Sequence, residues 1–173
     1  MFTRSIAVAL ATLFCATVAA QESPNLGEPI SAEDLAPWDI SIETNGDGLP
    51  AGSGSVAEGR DIYELQCLSC HGPEGSNGMN DRLVGGHGTL EDFAQVRTIG
   101  SFWPYASTVF DYIRRAMPFN TPQTLSNDEV YAVTAYLLYL NGIVDEDTTL
   151  NARRLSRIEM PNAEGFIFAW PQE

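Results

Sequence analysis

Lysine is absent from all 173 residues: the nine basic side chains are arginine, set against twenty-three Asp and Glu, for a net charge of −14. Nucleic acid and anionic membrane surfaces are thereby excluded as partners, because both are held by clustered Lys and Arg. A basic protein surface is the natural complement. Histidine occurs only at His71 and His87, and cysteine only at Cys15, Cys67 and Cys70, too few for a disulfide framework. After residue 20 no apolar run approaches the roughly 20 residues that a membrane-spanning helix needs, and there is no internal repeat or low-complexity run. At 44% apolar and 10% aromatic, the chain can nevertheless bury a core. Its length allows one domain with irregular extensions.

The first twenty residues, MFTRSIAVALATLFCATVAA, place one Arg before an apolar stretch that closes on Val18-Ala19-Ala20. This pattern predicts a cleaved secretory signal over 1–20, with cleavage before Gln21. An uncleaved anchor is the competing reading, disfavoured because the apolar run is short and ends in small residues. Cys15 leaves with the signal. The mature chain then carries eight arginines against twenty-three acids, a charge of −15, and just two cysteines, Cys67 and Cys70. A bridge between residues so close would close almost no loop, so their role is chemical rather than that of a staple.

Charge and turn residues divide the remainder. From 21 to 54 there are seven acids, no base and four prolines, which reads as an acidic extended arm. Such an arm suits a basic partner, although a charge run is also what any solvated surface shows. Residues 55–142 are helical in pattern. Ser55 and Glu58 form one capping-box signature, and Ser126 and Glu129 another, the second opening a stripe of Val130, Val133, Tyr136, Leu137 and Leu140 that Asn141-Gly142 ends. Thr89 and Asp92 predict a further helix with Leu90, Phe93 and Val96 on one face, and another is expected over Ala106 to Ala116 with Val109, Phe110 and Ile113 inward. No strand alternation appears between Gly72 and Leu90, so the expected fold is all-α. Residues 143–173 form an irregular tail, anchored on the core through Leu150, Leu155, Ile158, Met160, Phe166, Phe168 and Trp170.

The most informative string is CLSCH at 67–71. Two thiols three positions apart can each add across a vinyl group of one porphyrin, while the adjacent imidazole is delivered to the iron, so the motif reads as covalent haem c attachment at Cys67 and Cys70 with His71 as axial ligand. Three other chemistries share the spacing. A thioredoxin-like pair needs a βαβ setting, a zinc site needs more ligands than His71 and His87 add, and a plain disulfide leaves His71 without a role. For the sixth iron ligand, a thioether favours reduced iron and raises the potential. Met79 lies only eight residues past His71, and Met160 falls outside the expected core. Met117, followed by Pro118 at a helix end, is the expected ligand. His87, among glycines, is the bis-histidine rival.

These residues carry a resemblance. The helix into CLSCHG, the MPF string and VYAVTAYLLYLNG resemble a class I monohaem cytochrome c over Ser55 to Gly142, with Gly59, Tyr63 and Tyr136 matching the positions where the first and last helices cross. The strings APWDI, GLPAGSGSVAEG, TIGSFWPYASTVFDYIRRAMPF, TLSNDEVYAVTAYLLYLNGIVDED and EMPNAEGF further resemble the N-terminal haem domain of the SoxD family, the cytochromes paired with the molybdenum sulfur dehydrogenase SoxC. The resemblance implies a class I cytochrome c fold and a periplasmic electron-transfer subunit with no catalysis of its own. Its partners would be a SoxC-like molybdenum oxidoreductase subunit and a downstream cytochrome or oxidase. It also implies that Trp103, Tyr105 and Arg115 bury or neutralise the haem propionates; an aromatic cluster with solvated arginines is the alternative. SoxD carries a second haem domain, whereas this sequence holds one CxxCH, so a stand-alone relative is expected. Where many monohaem cytochromes place a Pro before the Leu of the loop after the haem motif, this chain has NDRLVGG at 80–86, which leaves open the carbonyl that orients His71. A haem enzyme with an exchangeable sixth site is the other function class, and Met117 argues against it.

Overall fold

The computed structural model describes residues 26–167 and 169–170, so the signal segment and Phe168 lie outside the described residues. The chain divides between Asp39 and Ile40. The first unit contains helix α1 (Ala32–Leu35), started by a reciprocal cap in which Ser31 Oγ accepts from the Asp34 amide and the Asp34 carboxylate accepts from the Ser31 amide. Hydrogen bonding to Ser31 holds the Asp34 carboxyl below the usual range.

The second unit runs through β1 (Ser53–Ser55), α2 (Val56–Gln66), α3 (Leu68–His71), a single 3-10 turn (Pro73–Gly75), α4 (Ala106–Ala116), α5 (Asn127–Leu140), β2 (Thr149–Asn151) and α6 (Ala152–Leu155). Both long helices with predicted capping boxes start at Ser55 and Ser126, with Glu58 and Glu129 completing the caps. Residues 130–138 of α5 are buried on every side, which makes it the central helix. Phe110 of α4 packs on Tyr131 with ring centroids 4.4 Å apart. Fully burying such apolar side chains stabilises by roughly 1.5–3 kcal/mol each, so α5 is the element around which the others condense.

Several expectations need correction. The fold is not purely α: β1 and β2 pair antiparallel, Ser53 opposite Asn151, Gly54 opposite Leu150 and Ser55 opposite Thr149. Each strand is three residues long and its partner lies nearly a hundred residues away, so neither alternation nor a hairpin turn announces the pair. The helix expected at Thr89 is absent. Thr89 Oγ1 instead donates to the Gly86 carbonyl at 2.8 Å and accepts from the Val96 amide at 3.0 Å, a local closure that competes with helix, and Phe93 stands fully exposed. The tail packs in part: Leu150, Leu155 and Met160 are at most 2% exposed, whereas Phe166 and Trp170, also expected as anchors, are 43% and 81% exposed. Met160, expected outside the core, therefore belongs to it.

The position of α2 depends on Gly59. A Cβ there would strike the carbonyl of Ala132 on α5, so the helices touch backbone to backbone at this point, and Tyr63 meets Tyr136 at 5.5 Å one turn further on. Because the obstacle is backbone, Gly59→Ala is expected to lower the unfolding free energy by about 1–3 kcal/mol in urea melts, more than the roughly 1 kcal/mol loss of the Ser126→Ala cap variant. A smaller cost than the cap variant's would mean that the crossing is not tight.

Candidate haem site

Helix α2 delivers Cys67 as its C-cap residue, the Cys67 amide donating to the Tyr63 carbonyl at 2.9 Å, and α3 turns Cys70 and His71 into the same space. The motif is held from both sides. Tyr63 Oη donates to the Gly72 carbonyl at 2.8 Å in the interior, and the Asn80 amide donates to the Cys70 carbonyl at 2.9 Å. Gly78 lies so close to the Cys70 carbonyl and the His71 backbone that a side chain could not stand there. The carbonyl left open by the sequence is that of Asp81: His71 Nδ1–H donates to it at 2.8 Å, which presents Nε2 as the free ligand atom. Burial, with the neighbouring Cys70 second, pushes the Cys67 thiol up to about 11, so before attachment it is a neutral thiol rather than a thiolate.

These residues line a cavity of about 690 Å³ to which α4 contributes Val109, Tyr112 and Ile113, its C-cap Met117 and the following Pro118, while α5 adds Val133 and Leu137. Cys67, Cys70, His71 and Met117 all border it. Met79 is 81% exposed and outside the lining, and His87 borders a different, open cleft with Asn141 and Glu159. The groups that border the cavity are thus two thiols, one imidazole and one thioether, a set that fits a haem c. Charge agrees with it: the chain carries −14 overall, yet the charged lining residues beside His71 are Arg82 and Arg97 against Asp81. A local excess of arginine in so acidic a protein suits a group with two carboxylates.

Of the three residues expected near the propionates, Trp103 borders the cavity, edge-on to Tyr112 at 5.6 Å. Tyr105 and Arg115 do not. Tyr105 bridges to Glu159 through its backbone, and Arg115 turns back to Asp111, its Nε donating at 3.1 Å. The spacing of four on a helix favours that pair and was readable in the sequence. Arg82 and Arg97 are not singled out by the sequence, because only the fold brings their loops to the cavity.

Asn141 was read only as a helix end. Its side chain is buried and braces the loop behind His71: Nδ2 donates to the Leu83 carbonyl at 3.2 Å and to the Leu137 carbonyl at 2.9 Å, and Oδ1 accepts from the Gly85 amide at 3.2 Å. Leu83 is two residues from the Asp81 carbonyl, so the C-terminus of α5 is tied to the orientation of the imidazole. No spacing rule announces a contact of this kind.

The family model described as cytochrome c oxidase, cbb3-type, subunit III, matches residues 54–137. No curated protein sequence matches the chain. Among solved structures, the crystal structure of the sulfane dehydrogenase SoxCD from Paracoccus pantotrophus is similar at a TM-score of 0.79 and 45% identity, covering 84% of this chain and 72% of that one.

Replacing Asn141 by Ala leaves the Gly85 amide without its acceptor, a loss of roughly 1–3 kcal/mol. The expected result is a lower urea midpoint with an unchanged slope. A change under about 0.5 kcal/mol would show that the loop holds itself.

Proposed function

Because the chain belongs to the class I c-type cytochromes, is related to the SoxD cytochrome and carries covalent haem c, we propose that it is an exported, periplasmic electron-transfer subunit that accepts single electrons from a SoxC-like molybdenum subunit. It then delivers them to a downstream cytochrome or oxidase. The observation that carries this reading is the meeting of Cys67, Cys70, His71 and Met117 around one cavity. Bound there, the haem supplies a one-electron ferric–ferrous couple.

Each residue has a part in making that couple useful. Cys67 and Cys70 hold the group by thioethers, so it is not lost in a dilute compartment outside the cytoplasm. His71, oriented by the Asp81 carbonyl, and the Met117 thioether would be the two side chains that hold the iron. With both engaged, no position would stay open for a substrate, which supports electron transfer over catalysis. The apolar lining of Ile99, Val109, Ile113 and Leu137 excludes water and, with the thioether, favours the reduced state. Arg82 and Arg97 offset the propionate charges.

The partner role draws support from the first unit. Leu26, Ile30 and Trp38 are 87%, 68% and 83% exposed among Glu28, Glu33, Asp34 and Asp39, with no base between Arg4 and Arg60. Apolar anchors in an acidic segment suit burial against a basic, apolar partner surface better than free diffusion. Among the described residues no helix is long and apolar enough to cross a membrane.

Met117→Ala should remove the weak far-red sulfur-to-ferric band, open the iron to carbon monoxide and lower the potential, while haem stays on the polypeptide through a denaturing gel. Unchanged spectra, with loss in His87→Ala or Met79→Ala instead, would move the ligand assignment. Haem extracted by acid acetone would remove covalent attachment altogether.

The partner reading is tested by salt. Co-expressed with a SoxC-like subunit, the cytochrome should co-elute from size exclusion at high ionic strength, since apolar contact survives when the Debye length falls from about 30 Å at 0.01 M to about 10 Å at 0.1 M. A cytochrome that elutes alone, yet accepts electrons quickly only at low salt, would be a diffusible carrier steered by its acids.

A further inference from the structure

The segment after α5 reaches the wall of the haem cavity. Beyond α6 it is fastened to residues 102–105 at three points. Glu159 pairs with Tyr105 by a backbone bridge, Asn162 Nδ2 donates to the Phe102 carbonyl at 2.7 Å, and the Phe166 ring meets the Phe102 ring edge-on with centroids 5.4 Å apart. Met160, 2% exposed, pins the stretch between them. The turn that aims Asn162 is tight: Gly165 lies against the Asn162 side chain with no room for a Cβ.

Phe102 is also the platform for Arg97. The guanidinium carbon lies 5.1 Å from the centre of the Phe102 ring, and Nε and Nη2 both donate to Gln95 Oε1, at 3.2 and 2.9 Å. Trp103, the next residue, borders the cavity beside Arg97. One residue thus joins the tail on one side to two cavity residues on the other. Elsewhere this segment is held by the Phe102 amide, which donates to the Thr98 carbonyl at 3.0 Å, and by the Trp103 ring, edge-on to Tyr112 of α4 at 5.6 Å.

We propose that Asn162 and Phe166 are positioning residues for the haem site: through Phe102 they hold Arg97 and Trp103 at the cavity and so raise the reduction potential. The inference rests on the haem reading of the cavity given above. Arg97 is exposed and long, with much rotamer freedom to lose, so its average position depends on what it stacks on. Reduction adds one negative charge at the iron. A cation kept near the haem carboxylates favours the reduced state, and the same cation dispersed into solvent is screened. Removing the tail's hold therefore lowers the potential without touching an iron ligand.

The test is a double-mutant cycle on the holoprotein, read by redox titration of the haem absorbance. Asn162→Ala and Phe166→Leu should each lower the ferrous-to-ferric ratio at the wild-type midpoint by roughly two- to fivefold, the range of a lost exposed cation–ring contact. The far-red methionine band should persist. In an Arg97→Gln background, itself lowered, neither tail variant should lower the ratio further. An unchanged potential in both tail variants, or the same shift with and without Arg97, overturns the proposal and leaves the tail a stability element. Phe166 is 43% exposed, so Phe166→Leu decides the question if Asn162→Ala fails to fold. A purified chain without covalent haem would instead refute the functional reading itself, a distinct outcome visible before any titration.

Discussion

The structure depends on one backbone contact, the approach of Gly59 on α2 to the Ala132 carbonyl on α5. It brings the two helices together backbone to backbone, and it sets where α2 ends. Two turns further on, α2 gives way to Cys67, and the motif residues follow within four positions. The same crossing brings Tyr63 to Tyr136, and the Tyr63 hydroxyl then reaches the Gly72 carbonyl. The loop after the haem motif is held in turn by Asn141, the residue that ends α5. Both sides of the His71 environment therefore trace back to the central helix. A shift of α2 along α5 would move the thiols and the Asp81 carbonyl out of register with each other.

Charge is arranged on a second principle. At −14 and without lysine, the chain repels itself over most of its surface, a cost that favours solubility and discourages self-association. Against that background, two arginines beside one cavity are conspicuous. Arg115, which sits in the string most like the family pattern, is neutralised by Asp111 within its own helix, whereas Arg97 is held by neutral partners, the Gln95 carbonyl and the Phe102 ring. An arginine held by neutral groups keeps its charge available to an anion. The difference between the two is one of local pairing, which residue type and motif do not reveal.

What the sequence made legible is what short-range chemistry controls. Capping boxes at Ser55 and Ser126 announce both helices, the stripe from Val130 to Leu140 announces the core, and CLSCH announces the cofactor. What stayed hidden depends on long-range contact. The β1–β2 pair joins segments that neither alternate nor lie near each other. The Thr89 region carries a helical pattern, yet its threonine closes a local turn with Gly86 and Val96. Met160 precedes a proline in an irregular tail, and only the fold shows it buried. The roles of Arg97 and Asn141 required knowing which loops meet.

The two extensions read alike in sequence, each irregular with scattered large apolar residues, but the structure separates them by burial. Leu150, Leu155 and Met160 of the tail are sealed in the core, whereas Leu26, Ile30 and Trp38 of the first unit are left in water. Hydrophobic burial is non-directional, so composition alone cannot say which apolar residues serve the fold and which serve a partner. Charge context supplies the distinction. The tail carries Arg153, Arg154 and Arg157 between its acids and can lie on an acidic core, whereas residues 26–39 carry four acids and no base.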